Sequence, residues 1–447
     1  MAVLDRGPDV SVVPPGPRSR DLGARAAALE CPAFGERRAK RAASQDPAPS
    51  IVLARGHGSN VWDVDENRFV DLAAGFGAAI LGHGPSPAHQ AAHAQIDVLV
   101  QGLGDLYPSD VKVALLERLA RLVPSMGAGA RVMLGQSGAD AVTIALKTAV
   151  LATSRAGVLA FEGAYHGLSY APLAACGFRA SFREPFAEQL GQHVVFAPYP
   201  SPANEAASLV AVRSALERGT IGAVLLEPIL GRGGVVVPND SAIFSIARLA
   251  REAGALLVAD EIWTGMGRSG AMLRSVEVGL APDLVAIGKG LGASFPISAC
   301  IGTEASMAAW ARSGEVLHTS THAGAPIGAA AALATLAAVE ELGLAPRARR
   351  LGAELRARLS DLGEPIVSVR GEGLIVGVEW ASGVMGLRAA SSLLRMGYLV
   401  TVGGAQGEVT VLTPPLTIDE GVLFGVVDAF ARTAAVLGAA RIAGDAR

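Results

Sequence analysis

The sequence predicts an α/β fold, a mainly parallel sheet covered by helices on both faces, and three observations carry that expectation. Short apolar runs at 131–134, 157–161, 194–197, 223–226, 255–259, 284–287 and 298–301 recur through the middle of the chain. Several are continuously apolar rather than alternating, as strands buried on both faces must be. Helical segments lie between many of them, the alternation that builds a parallel sheet. The chain has 447 residues, room for about two or three domains of ordinary size.

The elements follow in order. Residues 1 to about 45 hold a Pro-rich start and an Ala/Arg/Glu stretch of helical character. Runs at 51–53, 61–64 and 69–72 read as short strands split by a Gly-rich turn and an Asp-Glu-Asn turn. From Ser109 to Leu122 apolar residues recur at helical spacing, and Pro124 ends that helix. The strand at 131–134 precedes a helix over about 138–152. After Gly324 an Ala/Leu-rich helix leads into a smaller α+β region. No internal repeat and no long low-complexity linker interrupts the chain.

Composition excludes several classes. Hydrophobic residues at 51% and charged residues at 18% exclude a wholly disordered chain. A net charge of −3, from 38 basic and 41 acidic side chains, gives no reason to expect nucleic acid or an anionic membrane as partner. Cys31, Cys176 and Cys300 are widely spaced and odd in number, which fits a reducing compartment better than a disulfide framework. Without a CxxC pair, a cysteine zinc site is not expected, and no metal is assigned. The N-terminus lacks the apolar stretch of a signal peptide, and charges or glycines interrupt the apolar runs elsewhere. The expectation is a cytoplasmic protein.

In a parallel sheet, ligands bind at the carboxyl ends of the strands, so the residues just after each strand carry most information. The chain has four lysines, Lys40, Lys112, Lys147 and Lys289. Only Lys289 follows a buried-strand pattern, flanked by Gly288, Gly290 and Gly292 that clear space around its amine. A desolvated lysine there suits a Schiff base with a carbonyl; the alternative is a phosphate-binding lysine in a glycine loop. The P-loop pattern fails, because Asp283 occupies the first glycine position and Gly290 follows the lysine. Asp260 and Glu261 end an apolar strand, where a carboxylate is costly unless it meets a cation. One reading is a cap or metal ligand; the other is a counter-ion for a protonated pyridine nitrogen, as in pyridoxal phosphate. Ser137-Gly138-Ala139-Asp140 opens a helix as a capping box with Asp in the last place, and the amides of Gly138 and Ala139 also suit a phosphate. Tyr165 and His166 follow the strand at 157–161, where an aromatic ring either stacks on a flat ligand or fills the core.

Six motifs in order then converge. Gly-Gln-Ser-Gly-Ala-Asp-Ala-Val at 135–142, Gly-Ala-Tyr-His-Gly at 163–167 and Glu-Pro-Ile-Leu-Gly-Arg-Gly-Gly at 227–234 come first. Asp-Glu-Ile-Trp-Thr-Gly-Met-Gly-Arg-Ser-Gly at 260–270, Gly-Lys-Gly-Leu-Gly at 288–292 and Thr-His-Ala-Gly-Ala-Pro at 321–326 complete the series. Together they closely resemble the class III, or ω-aminotransferase-like, enzymes that use pyridoxal phosphate (PLP), from about Ile51 to the end. The resemblance implies fold type I, with a large PLP-binding domain at 76–330 and a smaller α+β domain from 1–75 and 331–447. It implies a homodimer with shared sites. Lys289 would form the Schiff base with the cofactor, Asp260 would pair with the pyridine nitrogen, and Tyr165 would stack on the ring beside His166. Ser137, Gly138 and Ala139 would hold the phosphate with Thr321 from the other subunit, and Glu227, Ile262 and Trp263 would complete the cofactor site.

The departures from the family bear on the substrate. Ala139 stands where Ser or Thr is usual, Leu230 and Arg232 where Gln and Glu are common, and Ile262-Trp263 where many members have Val-Gln. Members acting on glutamate commonly place an arginine where Val411 stands, so a guanidinium clamp is absent there. Glu227, which would pair with that arginine, is left to Arg232, another arginine or the substrate amine. The expected function is amino transfer between an amine or amino acid and a keto or aldehyde acceptor; the alternative is a racemase or epimerase of the same fold. For the latter, His166 or Tyr165 would be the second acid/base.

Overall fold

The computed structural model describes residues 5–42 and 50–445. Its contacts divide the chain into Pro87–Arg349 and a second unit built from both ends, Met1–Ser86 with Arg350–Arg447. The divisions fall at 86/87 and 349/350 rather than at 75/76 and 330/331. The helix Pro326–Glu341 explains the later one: it packs on the helices Pro87–Ile96 and Asp110–Ala120 and so stays with the central unit. That helix is apolar nearly all round, and its alanines at 329–332 are buried.

The chain-end unit begins with β1 (Leu53–His57), β2 (Asn60–Asp63) and β3 (Arg68–Asp71), paired antiparallel in sequence. Buried Asp63 sets the turn into β3. Its Oδ1 accepts from the N–H groups of Asp65 and Asn67 at 3.0 and 2.9 Å, and its Oδ2 from the Asn67 side-chain amide at 2.9 Å.

The central unit holds a seven-stranded sheet of β4 (Arg131–Gly135), β5 (Gly157–Phe161), β6 (Val194–Ala197), β7 (Ile221–Leu226), β8 (Leu256–Asp260), β9 (Leu284–Ile287) and β10 (Ser298–Gly302). Their spatial order is β4-β10-β9-β8-β7-β5-β6. All neighbours from β9 to β6 run parallel, while β10 is antiparallel to both β9 and β4. Every residue of β5, β7, β9 and β10 is buried, as the unbroken apolar sequences of the first three require. The helix Gly138–Thr153 lays Ala141, Ile144 and Ala145 over one face; Ile243 and Ile246 of the helix Asp240–Glu252 cover the other with Val212. Ser137 caps the first of these helices, its side chain accepting from the Asp140 N–H at 3.2 Å.

The chain returns to the end unit through β11 (Ile366–Glu372), β12 (Ile375–Trp380), β13 (Tyr398–Leu399), β14 (Thr401–Gly403) and β15 (Val409–Leu412). These form an antiparallel sheet of order β11-β12-β15-β14, while β13 leaves it to pair in parallel with β3. Thr413 and Leu416 of the Thr-Pro-Pro-Leu segment donate their N–H groups to the carbonyls of Leu72 and Ile80 at 2.7 and 2.8 Å, so the two chain ends are laced by backbone bonds. Residues 420–439 are long and apolar enough by composition to cross a membrane. Yet Phe430 there is fully buried, its ring stacked on Trp380 with centroids 6.1 Å apart, the position of a core helix.

The burial of the thiols gives a direct check. Cys31 is exposed, and Cys176 and Cys300 are buried. Burial pushes the Cys176 thiol up and takes that of Cys300 to about 12. A native thiol titration at pH 8 should therefore consume one equivalent of a bulky disulfide reagent, and three after denaturation. Rapid reaction of all three in the native protein would contradict this packing.

Candidate active site

Because β5, β7, β8 and β9 are parallel, their carboxyl ends lie along one edge of the sheet. Leu226 pairs with Ala259, which sets Glu227 beside Asp260; Asp260 pairs in turn with Ala286, three residues before Lys289. Tyr165 and His166 enter from the segment after β5. The side chains that the sequence singled out on four separate segments thus converge through strand register.

Asp260 is the centre of this edge. It is 4% exposed, and its Oδ2 lies 2.6 Å from Nδ1 of His166, whose side chain is fully buried. Its Oδ1 accepts from the Ile262 N–H at 3.1 Å. A carboxylate has about four lone-pair sites, so each oxygen keeps capacity for a further donor. His166 Nε2 is buried without a hydrogen-bond partner among the described residues. Glu261, by contrast, is a structural residue. It is buried and accepts from the Thr264 hydroxyl and the Ser275 N–H, which ties together the loop that follows β8.

Glu227 meets backbone instead of an arginine carboxylate clamp. Its Oε1 accepts from the Tyr165 N–H at 2.8 Å and its Oε2 from the Gly231 N–H at 2.9 Å. Burial pushes its carboxyl above the usual range; the His166 imidazole opposes that and the Asp260 carboxylate adds to it. The Tyr165 ring is half-buried, edge-on to Phe178 at 6.4 Å, with the Arg232 guanidinium carbon 4.3 Å above its centroid. The sequence marked Arg232 as a departure and as one possible partner of Glu227; it did not foresee the stack on Tyr165, nor the His166–Asp260 contact. The position of both residues after strand ends was the available signal.

Lys289 stands at φ +37°, a left-handed backbone that costs a non-glycine residue about 1–2 kcal/mol. Gly288 before it lies 3.5 Å, measured from where a Cβ would stand, from the Cα of Gly138, so the end of β9 abuts the start of the capped helix. The Lys289 amine sits 5.7 Å from the centroid of the Trp263 ring. Trp263 itself packs where a Cβ on Gly231 would stand, 1.8 Å from its Cε3, so only glycine fits at 231. Its indole N–H is buried with no acceptor among the described residues. Gly138 is similarly obliged: a Cβ there would come within 2.9 Å of the Ile262 side chain.

Thr321 is exposed and belongs to the segment before the helix Pro326–Glu341. Side chains from the capped helix and its entry hold that segment. Lys147 donates to the Leu317 carbonyl at 2.9 Å, Asp140 meets His318 at 3.0 Å, and Gln136 donates to the Ser320 hydroxyl at 3.0 Å. Gln101 donates to the carbonyl of Thr321 itself. Val411, in β15, is buried between Gly377 and Thr401 and carries no charge.

A sequence model of the aminotransferase class III family matches residues 41–433. The chain belongs to the class III aminotransferases. It is 36% identical over 379 residues to an acetylornithine aminotransferase of Mycolicibacterium smegmatis, covering 83% of this chain and 90% of that one. An acetylornithine aminotransferase of Methanosarcina mazei is 32% identical over 85% of this chain and 90% of its own. Among solved structures, an amine transaminase from an uncultivated Pseudomonas species in its PLP-bound form superposes with a TM-score of 0.80 at 29% identity, covering 86% of this chain and 96% of that one. An (S)-enantioselective ω-transaminase from Thermomicrobium roseum gives 0.82 at 26%, with 92% and 97% covered.

As a class III aminotransferase the protein uses pyridoxal phosphate, and the residues present fit that group. A buried carboxylate with spare acceptor capacity suits a protonated ring nitrogen. The orphaned indole N–H of Trp263 suits a ring oxygen or phosphate acceptor. By helix geometry, the N–H groups of Gly138 and Ala139 have no carbonyl partner inside their helix, which suits a phosphate.

The lysine's environment is testable without the cofactor. Burial pushes the Lys289 ammonium below its ordinary 10.5; Asp260 and Glu227 pull it back up, and Arg232 pushes it further down. Between the depressed native value and 10.5 the unfolded chain binds a proton that the native chain does not, so stability falls as pH falls. Denaturant unfolding of the cofactor-free protein and of Lys289→Met across pH should show the wild type losing stability relative to the variant as pH drops, by at most about 1.4 kcal/mol per pH unit. A wild type that holds or gains stability relative to the variant as pH drops would show the native amine fully charged.

Proposed function

We propose that Lys289 is the lysine that carries the cofactor in this aminotransferase, and that the reaction takes place at the carboxyl edge of β5, β7, β8 and β9. The observation that carries the proposal is the convergence of a half-buried lysine and a buried Asp260–His166 pair on one sheet edge. When bound, the cofactor supplies an aldehyde that captures the donor amine and a ring that accepts electrons as a bond at the donor carbon breaks.

The chain's own residues divide the remaining work. Asp260 would face the ring nitrogen, oriented by His166 and by the Ile262 N–H. The amides of Gly138 and Ala139, with Ser137 at the cap, would hold the phosphate, and Tyr165 would cover the ring. Lys289 Nζ, once displaced by the donor, accepts the proton from the carbon bearing the donor's amine. Burial favours the neutral amine that this transfer needs. Glu227 fixes the Tyr165 backbone and the Gly231 turn rather than touching the substrate. His166 is fully buried against Asp260, which argues against its serving as the second acid/base of a racemase.

The working unit is proposed to be a cytoplasmic homodimer, with Thr321 lending its hydroxyl to the phosphate site of the other subunit. Its support is a run of exposed apolar side chains, Val98, Val100, Leu103, Leu106 and Tyr107, in one surface segment of the central unit. The relatives named for acetylornithine make that compound the first donor to try.

The test is a half-reaction. Loaded enzyme mixed with a panel of amines and amino acids, acetylornithine included, should convert its long-wavelength absorbance to that of the aminated cofactor. Lys289→Ala should abolish conversion. Loss of optical activity in an amino acid without any conversion of the absorbance would overturn amino transfer in favour of racemisation.

A further inference from the structure

We propose that Arg232 is the residue that binds the carboxylate of this enzyme's substrates, in place of a guanidinium at Val411. The inference rests on the reading that places the reaction at Lys289. Arg232 belongs to a tight turn whose base is closed by paired backbone bonds between Leu230 and Val236, both 3.0 Å. Within the turn, Val235 donates to the Gly231 carbonyl at 3.0 Å, and the Gly231 N–H is held by Glu227. Trp263 packs onto the bare Cα of Gly231. The backbone that bears Arg232 is therefore fixed on both sides by residues of the site itself.

The side chain is fixed as well. Its guanidinium carbon lies 4.3 Å over the Tyr165 ring and 4.8 Å from the centroid of Phe178. Aromatic faces hold a guanidinium by its plane and orient its N–H fork. That fork matches the two oxygens of a carboxylate, which a lysine does not. The positive charge also lies near enough to Lys289 to oppose protonation of its amine. A cation on the ring expected to cover the cofactor, borne by the turn that packs against Trp263, stands where an anionic group on the substrate would be read. The substrate class that follows is an amino acid or keto acid rather than a simple amine.

Two reagents separate this inference from the transfer reaction. Aminooxyacetate and O-methylhydroxylamine differ by one carboxylate, and both condense with the cofactor aldehyde without moving a proton at carbon. The ratio of their apparent affinities, read from the absorbance of the loaded enzyme, measures carboxylate recognition alone. Arg232→Ala should lower that ratio by about 10- to 100-fold, the range of a lost charge-assisted pair. Arg232→Lys should recover part of it, because the charge remains and the planar fork does not. Arg232→Gln keeps size and polarity if the alanine variant folds poorly. An unchanged ratio in the soluble variants would overturn the proposal. A lowered ratio in an enzyme that fails the amine half-reaction would leave Arg232 as the carboxylate site and sink the transfer reading instead.

Discussion

The site depends on one buried electrostatic contact, Asp260 against His166 at the end of β8. A carboxylate 4% exposed beneath a parallel sheet edge is expensive unless donors surround it. The imidazole at 2.6 Å and the Ile262 N–H at 3.1 Å supply two of them. With the carboxylate so anchored, a protonated ring nitrogen of the cofactor would find a rigid acceptor in a place from which water is largely removed. Electrostatic interactions are stronger there than in solvent.

Close approach of backbone does the rest. The first turn of the helix Gly138–Thr153 lies against the Ile262 side chain, which a Cβ on Gly138 would approach to 2.9 Å. Trp263 can lie near Lys289 only because Gly231 leaves room for its ring. Glu227 then ties that glycine turn to Tyr165 through two backbone amides. The Glu227 carboxylate is thus a clasp for the loop that bears Arg232.

Much of this was legible in the sequence. The strands at 157–161 and 284–287 stand where their apolar runs place them, since burial on both faces leaves no polar position inside. The capped start of the helix at Gly138 follows from Ser137 and Asp140, because capping is local chemistry. What the sequence hid is non-local. Nothing in Tyr398-Leu399 announces a parallel pairing with Val70 and Asp71. β10 reads like its neighbours although it runs against them, since an apolar run carries no sign of direction. The contact of His166 with Asp260 joins residues 94 positions apart, and only strand register brings them together.

One particular lysine is proposed to carry the cofactor, and the chain offers only four to choose from. Borohydride reduction of the loaded enzyme, followed by peptide mass mapping, reads the attachment point directly. A reduced pyridoxyl label should appear on Lys289 alone. A label on Lys40, Lys112 or Lys147, with Lys289 unmodified, would contradict it.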